Sequence, residues 1–373
     1  MTPPFSRLCY AATRVVMRDE YLTVNHSPER PGAPDELARY IDWDATMARR
    51  VWLDGLGFGI AEAMDTAQRF SLGWQNAEEL IARCGALALR IPFIAGAGTD
   101  HLTTIHSEGE LIEAVAYQAR FIQRAGGWVI ILPMPHLAAI RADEETYLRV
   151  YAAIIDQLEG PLFIHWLGEM FMPSLHGYFP GDSFFRVMAH DPAKVRGAKL
   201  SLLDADFECR ARQRLAQDEQ IVLTGDDLHF ADLIRGDNTP TRETTIGNTR
   251  VPLGDFSHAL LGVFDAIAVP ASAALQRLAQ GDTAAYAELM APCEVLGQWI
   301  FQAPTHYYRS GLAFLAWING QQSNPMLINH EQRRRDHDYY ATCLHLARAA
   351  DILTNPALAN QRIQELPRYL SLR

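Results

Sequence analysis

Eight short apolar runs, separated by stretches with helical periodicity, are the feature that most constrains the fold of this chain. The predicted strands are "LCYAATRVV", "GLGFGIAEAM", "PFIAGAG", "WVIILPM", "PLFIHWL", "VRGAKLSL", "QIVLTGDD" and "LLGVFDAIA". The amphipathic stretches between them are 43–54, 75–88, 107–125, 143–158, 182–190, 206–216 and 227–235. This α/β alternation predicts a parallel sheet closed into a (β/α)8 TIM barrel. A doubly wound open sheet is the alternative, although no GxGxxG motif follows the first strand.

The pattern becomes purely helical after residue 270. We therefore expect a (β/α)8 barrel over residues 1–270 and a C-terminal helical extension over residues 271–373, packed on the barrel. The polar segment 236–257, "GDNTPTRETTIGNTRVPLGDFS", precedes the eighth predicted strand. Its composition predicts a long loop, either a lid over the barrel mouth or a passive surface insertion.

Charge and cysteine usage exclude several classes of partner. The net charge of −11 argues against binding to nucleic acid or to an anionic membrane surface. No apolar run is long enough to span a membrane, and the start "MTPPFSRLCYAATRVVM" does not resemble a signal peptide. Five cysteines without a CxxC pair predict reduced thiols in a cytoplasmic protein: Cys9, Cys84, Cys209, Cys293 and Cys343.

Lysine is nearly absent, and one of the two lysines lies inside a predicted strand. Lys194 and Lys199 stand among 33 basic residues. Alternation along the strand places Lys199 on one face with Gly197 and Ser201, where small neighbours leave room for a ligand. The opposite face is apolar and suits the helix layer: Ala198, Leu200 and Leu202.

The position of Lys199 suggests nucleophilic chemistry. Burial lowers the pKa of an amine, and a neutral amine attacks a carbonyl to form a Schiff base, whereas a guanidinium cannot. The alternative is that Lys199 reaches the end of the strand and pairs with an acid such as Asp204 or Asp226.

Two segments resemble a known enzyme superfamily. "VRGAKLSLLDAD" followed by "QIVLTGDDLHFADLI" is similar to strands six and seven of the dihydrodipicolinate synthase and N-acetylneuraminate lyase superfamily, where a GxK strand precedes an "LSGDD"-like strand. Weaker similarities are collinear with these: "IPFIAGAGTDHL", "PLFIHWLG", "LQRLAQGDTAAYAELMAP" and "PTHYYRSGLAFLAWING". The resemblance implies an oligomeric (β/α)8 barrel in which Lys199 forms a Schiff base during class I aldol cleavage, condensation or dehydration of 2-oxo acids.

The residues aligned with that family's substrate contacts differ in this chain. The family carries a Thr-Thr-Gly-Glu-like motif after strand two, which binds the 2-oxo acid carboxylate. The resemblance aligns Gly59 and Ile60 with its threonines, and only Glu62 is retained. These differences argue against pyruvate as the substrate.

The fourth and fifth strands also depart from the family pattern. The tyrosine that relays protons at the end of strand five is replaced by His165, and an arginine five residues later by Met170, with Glu169 beside it. A tyrosine pair after strand four becomes "MPH", which ends in His136. We interpret His165 as the acid/base, since imidazole exchanges protons near neutral pH; the alternative is a hydrogen-bonded core histidine.

Glycine and acidic residues near strands six and seven have two interpretations each. Gly225 permits close approach of backbone to a ligand, or serves a turn. Asp226 contacts the ligand, or else Asp226 or Asp227 caps the next helix. Asp204 either orients a substrate hydroxyl or caps the helix from residue 206.

We therefore predict a lyase of the aldolase or dehydratase type, with Lys199 and His165 catalytic. Its substrate would be a small hydroxylated carbonyl compound, such as a 2-oxo acid or a sugar-derived keto acid, and no cofactor is expected. The resemblance further implies a homo-oligomer, a dimer or tetramer. The predicted substrate-binding residues are Gly59, Ile60, Glu62, His136, Glu169, Asp204, Gly225 and Asp226.

Two alternatives remain open. A barrel that lost catalysis would only bind its ligand. A metal-dependent lyase or isomerase would need ligands from dispersed residues without HxH or HExxH spacing: His101, His106, His136, His165, His176, His229, His258, Glu169 and Asp226.

Overall fold

Eight parallel strands close into a barrel, as the sequence predicts. The computed structural model describes residues 4–371. The order around the barrel is β1-β10-β7-β6-β5-β4-β3-β2, and β8 and β9 form a separate antiparallel hairpin. The strands are β1 (Cys9–Ala12), β2 (Gly59–Glu62), β3 (Ile94–Ala97), β4 (Trp128–Ile131), β5 (Leu162–Leu167), β6 (Val195–Ser201), β7 (Ile221–Thr224), β8 (Pro240–Ile246), β9 (Thr249–Gly254) and β10 (His258–Leu261).

Helices connect successive barrel strands and continue beyond the last one. Up to β7 they are α1 (Pro34–Ala38), α2 (Trp43–Gly55), α3 (Arg69–Leu72), α4 (Trp74–Gly85), α5 (Glu108–Arg124), α6 (Pro135–Ala139), α7 (Glu144–Asp156), α8 (Ser183–Met188) and α9 (Ala205–Leu215). After β7 they are α10 (Phe230–Arg235), α11 (Phe264–Ala279), α12 (Thr283–Ile300), α13 (Arg309–Ile318), α14 (His337–Ala349), α15 (Pro356–Glu365) and α16 (Pro367–Leu370).

The eighth barrel strand lies earlier than the sequence pattern suggests. The predicted run "LLGVFDAIA" begins at Leu260, whereas β10 is His258–Leu261 and the rest of the run enters α11. The proposed boundary at residue 270 falls within α11, at a proline inside the helix. The apolar run therefore spans a strand, a short turn and the first turns of a helix.

Two apolar cores lie on opposite sides of the barrel wall. The inner core fills the lower barrel with side chains from several strands, including Tyr10, Trp128, Phe163 and Leu223. The outer core packs the helices on the wall and includes Ala198 and Leu200 of β6. The predicted alternation along β6 is thus confirmed for these two residues, since the intervening residues face the interior.

The segment 236–257 contains a hairpin at the amino-terminal end of the barrel. The predicted long loop is therefore wrong, and so is the lid over the mouth, which was one of its two predicted roles. Ile246, Val251 and Leu253 join the inner core with Trp128, which begins β4. The physical reason is topological: the segment connects α10 to the start of β10, and helix-to-strand connections lie at the amino-terminal ends of barrel strands. The hairpin closes the floor of the barrel.

The cysteines and the helices are also consistent with the sequence analysis. All five cysteines are unpaired thiols. Among the helices of residues 4–371, none combines the length and the apolar character that a membrane crossing requires.

Candidate active site

Lys199 lies on the inner face of β6, above the apolar floor of the barrel. Its register partners are His165 on β5 and Leu223 on β7. Gly225, just after β7, leaves space for the lysine side chain, because a Cβ there would lie 2.9 Å from Lys199 Cε and 2.2 Å from Ser201 Oγ. The absence of a side chain at residue 225 therefore lets the lysine extend towards the mouth.

The amine of Lys199 has no hydrogen bond or ion pair with another group of residues 4–371. Lys199 is half-buried, so its side chain keeps a path to solvent. Protein atoms nevertheless surround it, and burial lowers the pKa of the amine to about 8, while the carboxylates of Asp227 and Asp65 act in the opposite direction. An accessible amine with a lowered pKa is suited to nucleophilic attack.

Asp227 is the buried carboxylate whose charge acts most strongly on Lys199. Its Oδ1 accepts a hydrogen bond of 2.8 Å from the backbone N–H of Val263. Burial raises the pKa of the Asp227 carboxyl above its ordinary value, although the Lys199 ammonium opposes the shift. The sequence analysis gave Asp227 only as a candidate cap of the next helix, whereas the structure places its carboxyl within electrostatic range of the Lys199 amine.

His165 is buried beside Lys199 and contacts Ser201. The His165 Nε2 and Ser201 Oγ atoms are 3.2 Å apart, and the His165 Nδ1 atom has no partner within residues 4–371. Burial, reinforced by the charge of Lys199, holds the pKa of the imidazole well below its usual range. The ring is therefore neutral at pH 7. Its pKa is not the ordinary histidine value that the sequence analysis assumed for a group that exchanges protons near neutral pH.

Three predicted ligand contacts on β2 are not brought to Lys199. Gly59 begins β2, and a Cβ there would meet the ring of Tyr10 in the lower barrel. Ile60 belongs to the outer core. Glu62 is buried in a bidentate ion pair with Arg50, at 2.8 and 2.9 Å, and faces the helix layer. Side-chain alternation along the strand accounts for the positions of Ile60 and Glu62.

Four other predicted contacts lie beyond the carboxyl ends of the strands but make their own local interactions. Asp204 is exposed and caps α9 by accepting from the Phe207 N–H. Asp226 Oδ1 accepts hydrogen bonds from the backbone N–H groups of Leu228 and His229, and Asp226 Oδ2 contacts the Nδ1 atom of His229. Neither acid pairs with Lys199, which contradicts the alternative of a structural ion pair and agrees with the capping interpretation.

The remaining two predicted contacts lie further out. Glu169 is exposed after β5 and contacts His176. His136 is half-buried in α6, which follows β4. Of the eight predicted substrate-binding residues, Gly225 is the one in direct proximity to Lys199.

Residues that the sequence analysis missed complete the mouth. The segment after β2 is 63–68, so Asp65 and Thr66, and not Gly59 or Ile60, follow the strand. Thr66 Oγ1 is 2.8 Å from the hydroxyl of Tyr308, and Asp65 Oδ1 accepts from Arg309 Nη1 at 2.8 Å. The predicted second strand ends at Met64, so "DT" follows it directly in the sequence, but no local signal indicates its partners Tyr308 and Arg309.

The histidines proposed as alternative metal ligands lie apart. Residues 4–371 contain no group of three or more His, Cys, Asp or Glu side chains arranged to hold a metal ion. Five of the histidines have separate partners: His101 with Gln118, His106 with Thr104, His176 with Glu169, His229 with Asp226, and His258 with Leu8.

Solved structures share this architecture from end to end. A dihydrodipicolinate synthase from Aquifex aeolicus matches with a TM-score of 0.61 and 13% identity, over 94% of this chain and 100% of that one. A prophage protein of the dihydrodipicolinic acid synthase family from E. coli K12, in complex with pyruvate, matches with a TM-score of 0.64 and 13% identity. The match covers 92% of this chain and 98% of that one. An N-acetylneuraminate lyase from Fusobacterium nucleatum, also complexed with pyruvate, matches with a TM-score of 0.62 and 13% identity. The match covers 94% of this chain and 98% of that one.

The fold is the (β/α)8 barrel of these dihydrodipicolinate synthase and N-acetylneuraminate lyase structures, as the resemblance implied. Residues 1–370 match the family described as "Protein of unknown function (DUF993)", and the chain belongs to this family. No curated protein matches the sequence significantly.

Proposed function

We propose that the protein is a Schiff-base-forming lyase, of the aldolase or dehydratase type, that acts on a small hydroxylated carbonyl compound. The observation that carries the proposal is the Lys199 amine. It has no ion pair among the described residues, its pKa is lowered, and its side chain keeps residual exposure within the barrel. Active sites of such barrels lie at the carboxyl ends of the strands, where Lys199 points past Gly225.

Lys199 supplies the nucleophile. The lone pair of its amine attacks the substrate carbonyl carbon, and the carbonyl oxygen takes up a proton to give a carbinolamine. Loss of that oxygen as water leaves a C=N bond that carries a positive charge. The iminium then accepts the electron pair of a neighbouring bond, so that either a C–C bond breaks or a proton leaves.

Groups beside Lys199 transfer the protons that these reaction steps require. A neutral His165 accepts a proton from a substrate hydroxyl or carbon, and Ser201 holds the ring through its contact with Nε2. Asp227 exchanges a proton close to the amine. Protonation of the resulting enamine carbon and hydrolysis of the iminium by water then regenerate the free amine.

Reductive trapping tests this proposal. The protein is incubated with a panel of small ketones and aldehydes, reduced with cyanoborohydride, and analysed by intact and peptide mass spectrometry. We expect a substrate-sized adduct on Lys199, since hydride addition to the iminium carbon gives a stable secondary amine.

Two arginine variants make the trapping specific. Lys199→Arg keeps a positive charge but removes the nucleophile, so the adduct should disappear. Lys194→Arg is the matched control and should keep it, because Lys194 hydrogen-bonds to the carboxyl end of α7, away from the mouth. An adduct that survives in Lys199→Arg, or a complete panel without any adduct on Lys199, would contradict the proposal.

We further propose that the protein is a cytoplasmic homo-oligomer, a dimer or tetramer. Five free thiols and the usual assembly of the related barrels support this proposal. Light scattering after size-exclusion chromatography should give a mass of two or four times 41.8 kDa.

A further inference from the structure

Three carboxyl groups and two cations form one connected group at the mouth. Asp65, Asp227 and Glu331 face Lys199 and Arg309 in one connected group. All three guanidinium nitrogens of Arg309 donate hydrogen bonds to carboxylates. Nε and Nη2 donate to the two oxygens of Glu331, at 2.8 and 2.7 Å, and Nη1 donates to Asp65 Oδ1. No guanidinium of this group is therefore free to bind an anionic substrate.

Asp65 has one oxygen left for a ligand. Its Oδ1 is bound by Arg309, whereas Oδ2 is buried and has no donor within residues 4–371. A buried acceptor without a donor is costly, so a donor from a bound molecule would satisfy it. The Asp65 charge also raises the pKa of the Lys199 amine, so the two groups lie within electrostatic range of each other.

Packing around Gly262 connects Asp65 to the reacting end of the site. A Cβ at Gly262 would lie 3.1 Å from the ring of Tyr308 and 3.4 Å from Thr66 Oγ1. Thr66 follows Asp65 in the chain, and the N–H of Val263, next to Gly262, binds Asp227. Asp65 is thus part of the mouth and not of the helix layer behind it.

We propose that the substrate carries no carboxylate beside its reacting carbonyl and is an uncharged polyhydroxy ketone or aldehyde, with one hydroxyl donating to Asp65 Oδ2. A 2-oxo acid would place a carboxylate next to the iminium carbon, beside the carboxylate of Asp65 and with no free guanidinium of this group to pair with it. The inference rests on the proposed function, because it concerns the carbonyl compound that Lys199 attacks.

Dihydroxyacetone and pyruvate are suitable probes, since both are three-carbon ketones. They differ in that the first carries two hydroxyl groups and the second a carboxylate beside the carbonyl. Each forms an iminium with loss of water, and cyanoborohydride reduces that iminium to a secondary amine. The protein is treated with each probe at equal concentration, and the Lys199 adduct is divided by the Lys194 adduct of the same sample to remove differences in intrinsic reactivity.

We expect this normalised adduct to be about tenfold or more larger for dihydroxyacetone than for pyruvate. Asp65→Asn removes the charge and releases an N–H of Arg309. The ratio of the dihydroxyacetone adduct to the pyruvate adduct should therefore fall by about tenfold. Asp65→Thr removes the same charge and provides a second test should the first variant not fold. Asp65→Glu keeps the charge and should keep the preference of the wild type.

The outcomes separate this inference from the proposed function. A Lys199 adduct that forms at least as readily with pyruvate, or a ratio that is unchanged in folded Asp65→Asn and Asp65→Thr, overturns the substrate class and leaves the Schiff-base lyase intact. If no carbonyl compound of the full panel labels Lys199 above Lys194, the proposed function fails, and this inference fails with it.

Discussion

At the scale of single residues, Gly225 determines whether the Lys199 side chain can occupy its position. A methyl group at residue 225 would lie 2.2 Å from Ser201 Oγ, 2.8 Å from the Leu200 carbonyl oxygen and 2.9 Å from Lys199 Cε. Since the carbonyl belongs to β6 and cannot retreat easily, the lysine must move. We expect Gly225→Ala to reduce adduct formation at Lys199 by about tenfold or more, measured by reductive trapping.

The matched control for this variant is Gly55→Ala. Gly55 ends α2, has no atom within 4 Å of an added Cβ, and does not have a positive φ. Its alanine variant should melt and label as the wild type does. A folded Gly225→Ala protein that labels at the wild-type rate would show that Lys199 does not depend on the space we describe.

At the scale of elements, the β8–β9 hairpin stabilises the floor of the barrel and takes no part in the chemistry. Ile246 is fully buried in the inner core. Ile246→Ala should lower the free energy of unfolding by about 2–5 kcal/mol, measured by denaturant titration, because it leaves a cavity. Adduct formation at Lys199 should stay unchanged.

Thr245→Ala is the control on the same strand, since Thr245 is exposed and should tolerate the change. If Ile246→Ala changed the labelling of Lys199 without loss of stability, the hairpin would have to act on the mouth after all.

The contact between α9 and β7 makes stability depend on pH. Glu208 is buried and accepts hydrogen bonds from Thr224 and Ser257, at 3.0 and 2.7 Å. Burial raises the pKa of its carboxyl from 4.5 to about 8. Between these values the native state holds a proton that the unfolded state has released, so the free energy of unfolding falls as pH rises, by up to about 1.4 kcal/mol per pH unit.

Above about pH 8 this contribution of Glu208 levels off, because both states are then ionised. Glu208→Gln cannot ionise and should remove the same slope. The measurement is the difference in unfolding free energy between wild type and variant at several pH values from about 5 to about 8. A constant difference across that range would contradict the assignment of a protonated Glu208.

Seven of the eight barrel strands could be predicted, because each is an apolar run bounded by polar residues. The eighth prediction began two residues late, since no polar break separates β10 from α11. The hairpin was missed because its composition is polar. Its two-residue turn, Gly247–Asn248 with φ +55° at the glycine, was the available signal.

At the scale of the whole molecule, the mouth is assembled from distant parts of the chain. The position of Lys199 inside the barrel could be predicted, because one strand contains both the alternation of side chains and the motif. Tyr308 contacts Thr66 across 242 positions, and no local pattern predicts such a pair. We propose that residues 271–373 form an extension packed on the barrel, since α13 begins at Arg309, which binds Asp65 beside the mouth.

The most direct measurement is competitive labelling of the two lysines with formaldehyde and cyanoborohydride across about pH 6 to about pH 10, resolved by peptide mass spectrometry. Formaldehyde is small enough to enter the mouth and reacts only with a neutral amine. We predict that Lys199 is labelled in the folded protein, with a rate that rises with pH and is half-maximal at about pH 8. A Lys199 that stays unlabelled while Lys194 reacts, or whose rate rises only near the ordinary lysine pKa of 10.5, would contradict it.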